Sequence, residues 1–173
     1  MQQVRYRNTL DDLIALQKFV LRHTALGRKM MLHRFIMVEI IIFLICSLFA
    51  FNHNPIKVLL MFIVLSGLAW LFRERSVLVQ FRKDFRREDR RDKTGAFHRD
   101  RTMSIDAGGI TVNSGNGQNS HTWDQVELVN RDAKYVYIVL KGVLHHVIPL
   151  SAFRDANHTE QFMMAMQTFR SEA

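Results

Sequence analysis

The chain of 173 residues is basic, with 24 Lys and Arg against 16 Asp and Glu and a formal net charge of +8. Residues 1–34 carry seven basic and two acidic side chains, residues 73–101 carry eleven and six, and residues 102–173 have a slight acidic excess. The basic excess is thus confined to residues 1–34 and 73–101, which argues against nucleic-acid binding. The single cysteine, Cys46, excludes an internal disulfide and a cysteine-based zinc site.

Residues 10–22 predict a short amphipathic helix, because their apolar side chains recur at helical spacing. Thr9 is the expected N-cap, and Asp11 and Asp12 lie in the first turn, where carboxylates favour the helix dipole. Such a helix lies either on the cytoplasmic membrane surface or against the soluble domain, and the sequence leaves both arrangements open.

Two apolar runs follow, at residues 35–51 and 56–72, with only Asn52-His53-Asn54-Pro55 between them. Each run is roughly 25 Å long as a helix, close to the thickness of a bilayer core. The intervening Asn-x-Asn-Pro favours a turn, because proline disfavours helix at the residue before it. Helices of a soluble core usually keep a polar stripe, and these runs have almost none, so residues 35–72 predict a transmembrane helical hairpin.

The basic side chains flank this hairpin on both sides, which is the positive-inside pattern and predicts cytoplasmic termini. The same flanks are expected to bind anionic lipid head groups. They comprise Arg22, Arg28, Lys29 and Arg34 before the first run, and Arg73, Arg75, Arg82, Lys83, Arg86 and Arg87 after the second.

Residues 73–97 predict a basic helix that continues out of the membrane. Its apolar stripe is Val77, Phe81 and Phe85, the rest of its surface is charged, and Gly95 is the expected end. Residues 1–34, which contain the amphipathic helix and the first basic flank, form the corresponding segment before the hairpin in the sequence.

From residue 99 the period changes to two, which predicts short antiparallel strands at 101–106, 110–114, 120–132, 135–141 and 145–150. We expect a tight turn at 107–109, a looser one at 115–119, and further turns at 132–134 and 142. The last twenty residues return to helical spacing, with Asn157 or Thr159 as the expected cap. Phe162, Met166 and Phe169 should then cover the sheet, packed on the strands that contain Trp123, Val126, Tyr135 or Tyr137, and Ile148.

The chain resembles, in order, the YcxB-like family of bacterial membrane proteins, whose soluble part is similar to pleckstrin-homology (PH)-like domains. The resemblance is carried by Thr9-Leu10-Asp11-Asp12, by the step from Ser120 through Trp123 to Val126, and by Ile148-Pro149 followed by Phe153. The resemblance implies a bacterial inner-membrane protein with a PH-like cytoplasmic domain at residues 98–173. The family has no established biochemical activity, so the resemblance implies fold and topology more than function. The predicted fold class is therefore a membrane helical hairpin with a small α+β module, an antiparallel sheet capped by a C-terminal helix.

Glu39 is the main candidate for a site inside the membrane, because a carboxylate in an apolar segment must be paired. It lies near the membrane interface, where it either reaches the head groups or pairs with Arg73 or Ser66 on the returning helix. The sequence leaves open whether its role is functional or structural. In the soluble domain, Trp123, Phe162, Met166 and Phe169 are candidates for either the core or an interaction surface.

The remaining motifs argue against catalysis and cofactors. The eight histidines lack the spacing of metal ligands, and His145 and His146 point to opposite faces of one strand. We therefore expect no enzyme activity, no metal and no cofactor. The favoured function is a membrane-anchored module that binds a protein partner, itself or lipid. Its rivals are an intramembrane accessory or immunity-type protein acting through the hairpin, and an enzyme that these motifs do not reveal.

Overall fold

The computed structural model describes residues 2–50, 54–91, 100–115, 117–142 and 145–172. The chain forms two compact units. The β module consists of Met1–Leu16 and Phe85–Ala173, and the hairpin unit consists of Gln17–Asp84. The hairpin unit is thus an insertion within the sequence of the β module.

Two long helices make the hairpin, α2 at Ala25–Ala50 and α3 at Pro55–Arg91. Both are long and apolar enough to cross a membrane. Their large apolar side chains face outward, and Leu48 and Leu71 are 73% and 72% exposed. Both helices extend beyond the predicted spans, since α2 begins ten residues earlier and α3 runs on through the basic segment. The predicted end at Gly95 lies outside the described residues.

Helix α1, Leu10–His23, begins as predicted at Thr9, whose Oγ1 accepts from the Asp12 N–H at 3.3 Å. The Asp12 carboxylate in turn accepts from the Thr9 N–H at 2.7 Å, so each residue caps the other. Thr24 separates α1 from α2 and accepts at Oγ1 from the Gly27 N–H at 2.9 Å. A Cβ at Gly27 would lie 2.3 Å from the Val20 carbonyl oxygen, so only glycine permits this close turn.

Helix α3 begins at the predicted turn. Asn54 caps it, because its side-chain oxygen accepts from the Ile56 N–H at 2.9 Å. Pro55 occupies the first helical position, where the missing N–H costs nothing.

The β module contains two antiparallel sheets. The first has the order β1-β2-β3-β4, formed by Gln2–Tyr6, Arg101–Asp106, Gly109–Ser114 and Gly117–His121. The sequence pattern predicts no strand before α1, yet β1 pairs with β2 over its whole length, with Val4 opposite Met103. Strand β4 starts at Gly117, opposite Ser114, and therefore begins within residues 115–119, the segment predicted as a looser turn.

The second sheet has the order β5-β6-β7, formed by Val126–Arg131, Tyr135–Leu140 and His145–Pro149. The prediction of one strand over residues 120–132 is wrong. A 3-10 turn at Trp123–Gln125 ends β4 and starts β5, and it turns the Trp123 side chain into the core. This turn converts one predicted meander into two sheets.

Helix α4, Ala156–Ser171, packs on the core between the sheets, as predicted. Its cap is Asp155, whose carboxylate accepts from the His158 N–H at 2.6 Å, so the predicted caps Asn157 and Thr159 are wrong. Asp155 has the extended backbone that a cap requires, whereas the other two residues are already inside the helix. On β6 the inward side chains are Val136, Ile138 and Leu140.

Candidate functional site

The two hairpin helices meet along a seam of half-buried side chains spaced three and four residues apart. The spacing keeps one stripe of each helix against the other, while the remaining surface stays exposed. Facing pairs recur at steps of four residues in opposite chain directions, which fixes an antiparallel register. The pairs are Phe35–Trp70 with ring centroids 5.2 Å apart, Glu39–Ser66, and Phe43–Phe62 at 6.5 Å.

The structure brings Glu39 and Ser66 together in this seam. The Ser66 hydroxyl donates to Glu39 Oε2 at 2.7 Å. The other carboxylate oxygen, Oε1, is buried and has no hydrogen-bond partner among the described residues. One oxygen of the only acidic side chain in the apolar runs is therefore satisfied and the other is not.

Arg73 does not pair with Glu39 but lies over Trp70, with the guanidinium carbon 3.6 Å from the ring centroid. This cation–π contact holds the charge at the end of the second apolar run. Two further contacts were not predicted from the sequence. Arg22 forms a salt bridge with Glu74 at 2.9 Å, and Arg34 Nη1 donates to Gln80 Oε1 at 2.9 Å.

The candidate aromatic and apolar side chains of the β module lie in its core. Phe162 and Met166 are fully buried, and Trp123 is 3% exposed with its ring N–H donating to the Asp106 carbonyl at 2.9 Å. Phe169 is half-buried beside Trp123, with ring centroids 6.0 Å apart. None of the four forms an exposed anchor for a partner.

A polar network missed by the sequence analysis surrounds Asp132. One of its carboxylate oxygens accepts from the backbone N–H groups of Lys134 and Tyr135, and the other accepts from the Tyr137 hydroxyl at 2.8 Å. Partial burial raises the pKa of Asp132, but these hydrogen bonds outweigh it and hold the pKa below its ordinary value. Burial, and then a hydrogen bond with the Asp12 carboxylate, raise the pKa of Tyr135 to about 12. Asp132 therefore closes the β5–β6 turn, while Asp12 ties the start of α1 to β6.

His146 is the most unusual ionisable group of the module. It is 8% exposed, its ring lies 5.9 Å from that of His121, and neither of its nitrogens has a hydrogen-bond partner within the described ranges. Burial lowers the pKa of His146 to about 4, and the nearby positive charge of Arg101 and the rings of His121 and His145 act in the same direction. His121 and His146 are 25 residues apart, so only the folded sheets bring them together.

Among the residues that the structure describes, no group of three or more His, Cys, Asp or Glu side chains is placed to hold a metal ion. The His121–His146 pair has no third ligand placed with it in the described part of the chain, and Arg101 adds a positive charge nearby.

Residues 105–166 match the family model described as YcxB-like protein. The match starts near the end of β2 and ends within α4, so it includes the buried Trp123 and Phe162. No curated protein matches the chain. Residues 105–166 are therefore a YcxB-like domain, in a chain that also has two candidate membrane helices.

Proposed function

We propose that the protein is a non-enzymatic integral protein of the bacterial inner membrane. It spans the membrane twice and presents a PH-like module at the cytoplasmic face. The module binds a protein partner or a second copy of the chain, and the basic flanks bind membrane lipids.

The pairing of β1 with β2 carries this proposal. These neighbouring strands are separated in the sequence by the whole hairpin, because β1 ends at Tyr6 and β2 begins at Arg101. Two membrane crossings return the chain to the side from which it left, as a hairpin inserted between two paired strands requires. The sheet therefore supports an even number of crossings independently of the hydropathy of the helices.

The charges support the cytoplasmic side. Basic residues dominate both flanks of the hairpin. At its opposite end, where the two apolar runs are joined, the sequence has only His53 and Lys57. Cytoplasmic loops of membrane proteins carry such an excess of Lys and Arg.

The packing and hydrogen bonds of the side chains in the module favour a binding function over a catalytic one. Its core is filled by its own side chains, and the indole N–H of Trp123 and the carboxylate of Asp132 are used in hydrogen bonds that hold the sheets and turns. What remains for function is the polar surface of the module, including β4, whose residues from Gly117 to Ser120 are all exposed.

Photocrosslinking in living cells tests the proposal. A photoreactive amino acid replaces an exposed residue on each of three elements: Gln118 on β4, Glu127 on β5 and Gln167 on α4. We expect at least one position to give a defined crosslinked species that disappears in a Phe162→Ala background and persists with Gln161→Ala. Crosslinks that are absent at all three positions, or that are insensitive to unfolding of the module, would contradict the binding role.

The second candidate is an intramembrane accessory or immunity-type protein. It is favoured by Glu39 Oε1, which has no hydrogen-bond partner among the residues that the structure describes. A partner helix could supply the missing donor. This function predicts that Glu39→Gln abolishes in-cell complex formation while Phe162→Ala leaves it intact, and the proposed function predicts the reverse.

A further inference from the structure

A cleft lies between α2 and α3 at the end of the hairpin where the basic flanks begin. Its volume is about 180 Å³. Phe35 and Val38 of α2 and Ala69 and Phe72 of α3 line it with apolar surface, and Arg34 and Arg73 stand beside them. The small side chain of Ala69 leaves this space open.

The two arginines mark the boundary between hydrocarbon and head groups. Arg34 directly precedes the first apolar run and Arg73 directly follows the second. Trp70 lies at the same level, half exposed, and packs on both Phe35 and Arg73. Tryptophan and arginine at this depth are typical of a membrane–water interface.

Neither arginine is neutralised by a carboxylate among the residues that the structure describes. Arg34 contacts the neutral amide of Gln80, and Arg73 contacts the Trp70 ring. In contrast, Arg22 on the same unit is paired with Glu74. A guanidinium has five N–H donors, so both groups retain donors for an anion.

We propose that this cleft binds one anionic phospholipid from the surrounding leaflet. Its phosphate accepts hydrogen bonds from Arg34 and Arg73, and the first carbons of one acyl chain occupy the cleft between Val38 and Ala69. A cavity of about 150 Å³ accepts benzene, so the cleft has room for this part of a chain while the rest follows the exposed apolar surface. Guanidinium groups suit phosphate because of their planar, paired donors. A zwitterionic head group is disfavoured, because it places its own cation near two arginines.

This inference rests on the membrane insertion in the proposed function and adds a defined lipid site to it. The test uses the full chain in phosphatidylcholine vesicles that contain 20 mol%, roughly one lipid in five, of phosphatidylglycerol, with bromine on the acyl chains of either lipid. Bromine quenches tryptophan at short range, so the quenching of Trp70 reports which lipid occupies the cleft. The Trp70→Phe variant supplies the signal of Trp123, which is subtracted.

We expect Trp70 to be quenched by brominated phosphatidylglycerol with about a tenfold preference over brominated phosphatidylcholine, as two interfacial arginines imply. The double variant Arg34→Gln/Arg73→Gln should lose most of this preference. The matched control Arg28→Gln/Lys29→Gln removes the same charge from the flank outside the cleft and should keep it. Ala69→Leu should reduce quenching by filling the cleft, whereas Gly67→Ala should not, because its Cβ would enter open space.

Quenching by each lipid in proportion to its mole fraction in the parent, or equal losses in the two double variants, would overturn the site in favour of diffuse attraction. Insertion is measured on the same samples by resistance to alkaline carbonate. A protein that is stripped from the vesicles contradicts both the anchor and the site, while an inserted protein without lipid preference contradicts the site alone.

Discussion

The hairpin unit and the β module distribute polar and apolar side chains in opposite ways. In the hairpin, large apolar side chains are exposed and the seam contains the Glu39–Ser66 hydrogen bond. In the β module, Phe162 and Met166 are completely buried and the exposed positions of α4 are mostly polar. This opposite distribution is the one that the proposed function requires, with hydrocarbon around the hairpin and water around the module.

The forces that stabilise the two units differ accordingly. Burial of apolar surface stabilises the module by roughly 25 cal/mol per Å² removed from water. Helices in lipid gain little from that effect, and their association depends on close packing and polar contacts. Substitutions that remove apolar volume should therefore damage the module far more than a hairpin in lipid.

The largest expected effect is that of Phe162→Ala. Phe162 is fully buried among both sheets, and a cavity at such a site costs about 3–5 kcal/mol. Urea titration of the full chain in lipid nanodiscs measures this cost through Trp123 emission, in a Trp70→Phe background that leaves a single tryptophan. The exposed neighbour Gln161→Ala should leave the midpoint unchanged, and α2 and α3 should remain helical in both variants.

If Phe162→Ala and Gln161→Ala unfold at the same urea concentration, α4 does not cover the core. A loss of hairpin helicity together with the module would show instead that the two units unfold as one.

His146 should make the module acid-sensitive. Its pKa is about 4 in the folded chain and about 6.5 in an unfolded one, so both states are neutral above pH 6.5. As the pH falls from 6.5 towards 4 only the unfolded chain gains the proton, and the free energy of unfolding should fall by up to about 3 kcal/mol. The same urea titration measures this loss, which should largely disappear in His146→Gln.

The ring of His121 lies beside that of His146, and the positive charges of Arg101 and of the neighbouring His145 also act on its pKa. The control His158→Gln, on α4, should retain the acid-dependent loss. A His146→Gln variant with the same slope as the parent between pH 6.5 and 4 would assign the acid sensitivity to another group.

Val4→Ala tests whether β1 belongs to the module, although the hairpin separates it from β2. Val4 is 2% exposed and pairs with Met103, so its truncation should lower the stability of the module by about 2 kcal/mol. Gln3→Ala, on the outward face of the same strand, should have no effect. Equal midpoints for the two variants would show that β1 contributes nothing to the core.

The sequence predicted the elements that depend on local patterns. The apolar runs, the Asn54-Pro55 turn, the Thr9 cap of α1 and the apolar stripe of α4 were all correctly identified, because each is encoded within a few neighbouring residues. Of the candidate site residues, Glu39 and Ser66 could be paired from the sequence because a hairpin forces facing positions.

Features that depend on distant pairing were missed. Strand β1 has only Val4 and Tyr6 as its alternating signal, and its partner lies almost a hundred residues away. The turn at Trp123 interrupts a continuous alternating pattern, because the indole is drawn inward to the Asp106 carbonyl. The contact of His121 with His146 likewise requires both sheets to be in place.

The smallest expected effect concerns the seam. Ser66→Ala removes the hydroxyl that donates to Glu39, and a typical side-chain hydrogen bond contributes a net of only about 0.5–1.5 kcal/mol. In a Cys46→Ala background, cysteines at 43 and 62 should form a disulfide faster than cysteines at 43 and 69. Ser66→Ala should slow that crosslink only modestly, and faster crosslinking of the 43–69 pair would contradict the register.

Cysteine labelling in right-side-out spheroplasts tests the central claim, that the hairpin spans the membrane with the module on the cytoplasmic side. In a Cys46→Ala background, one variant carries Asn54→Cys at the exposed start of α3 and the other carries Gln118→Cys on β4. A membrane-impermeant maleimide should label the Asn54→Cys variant in intact spheroplasts and should label the Gln118→Cys variant only after lysis. Labelling of the Gln118→Cys variant in intact spheroplasts, or failure to label the Asn54→Cys variant there, would contradict this topology.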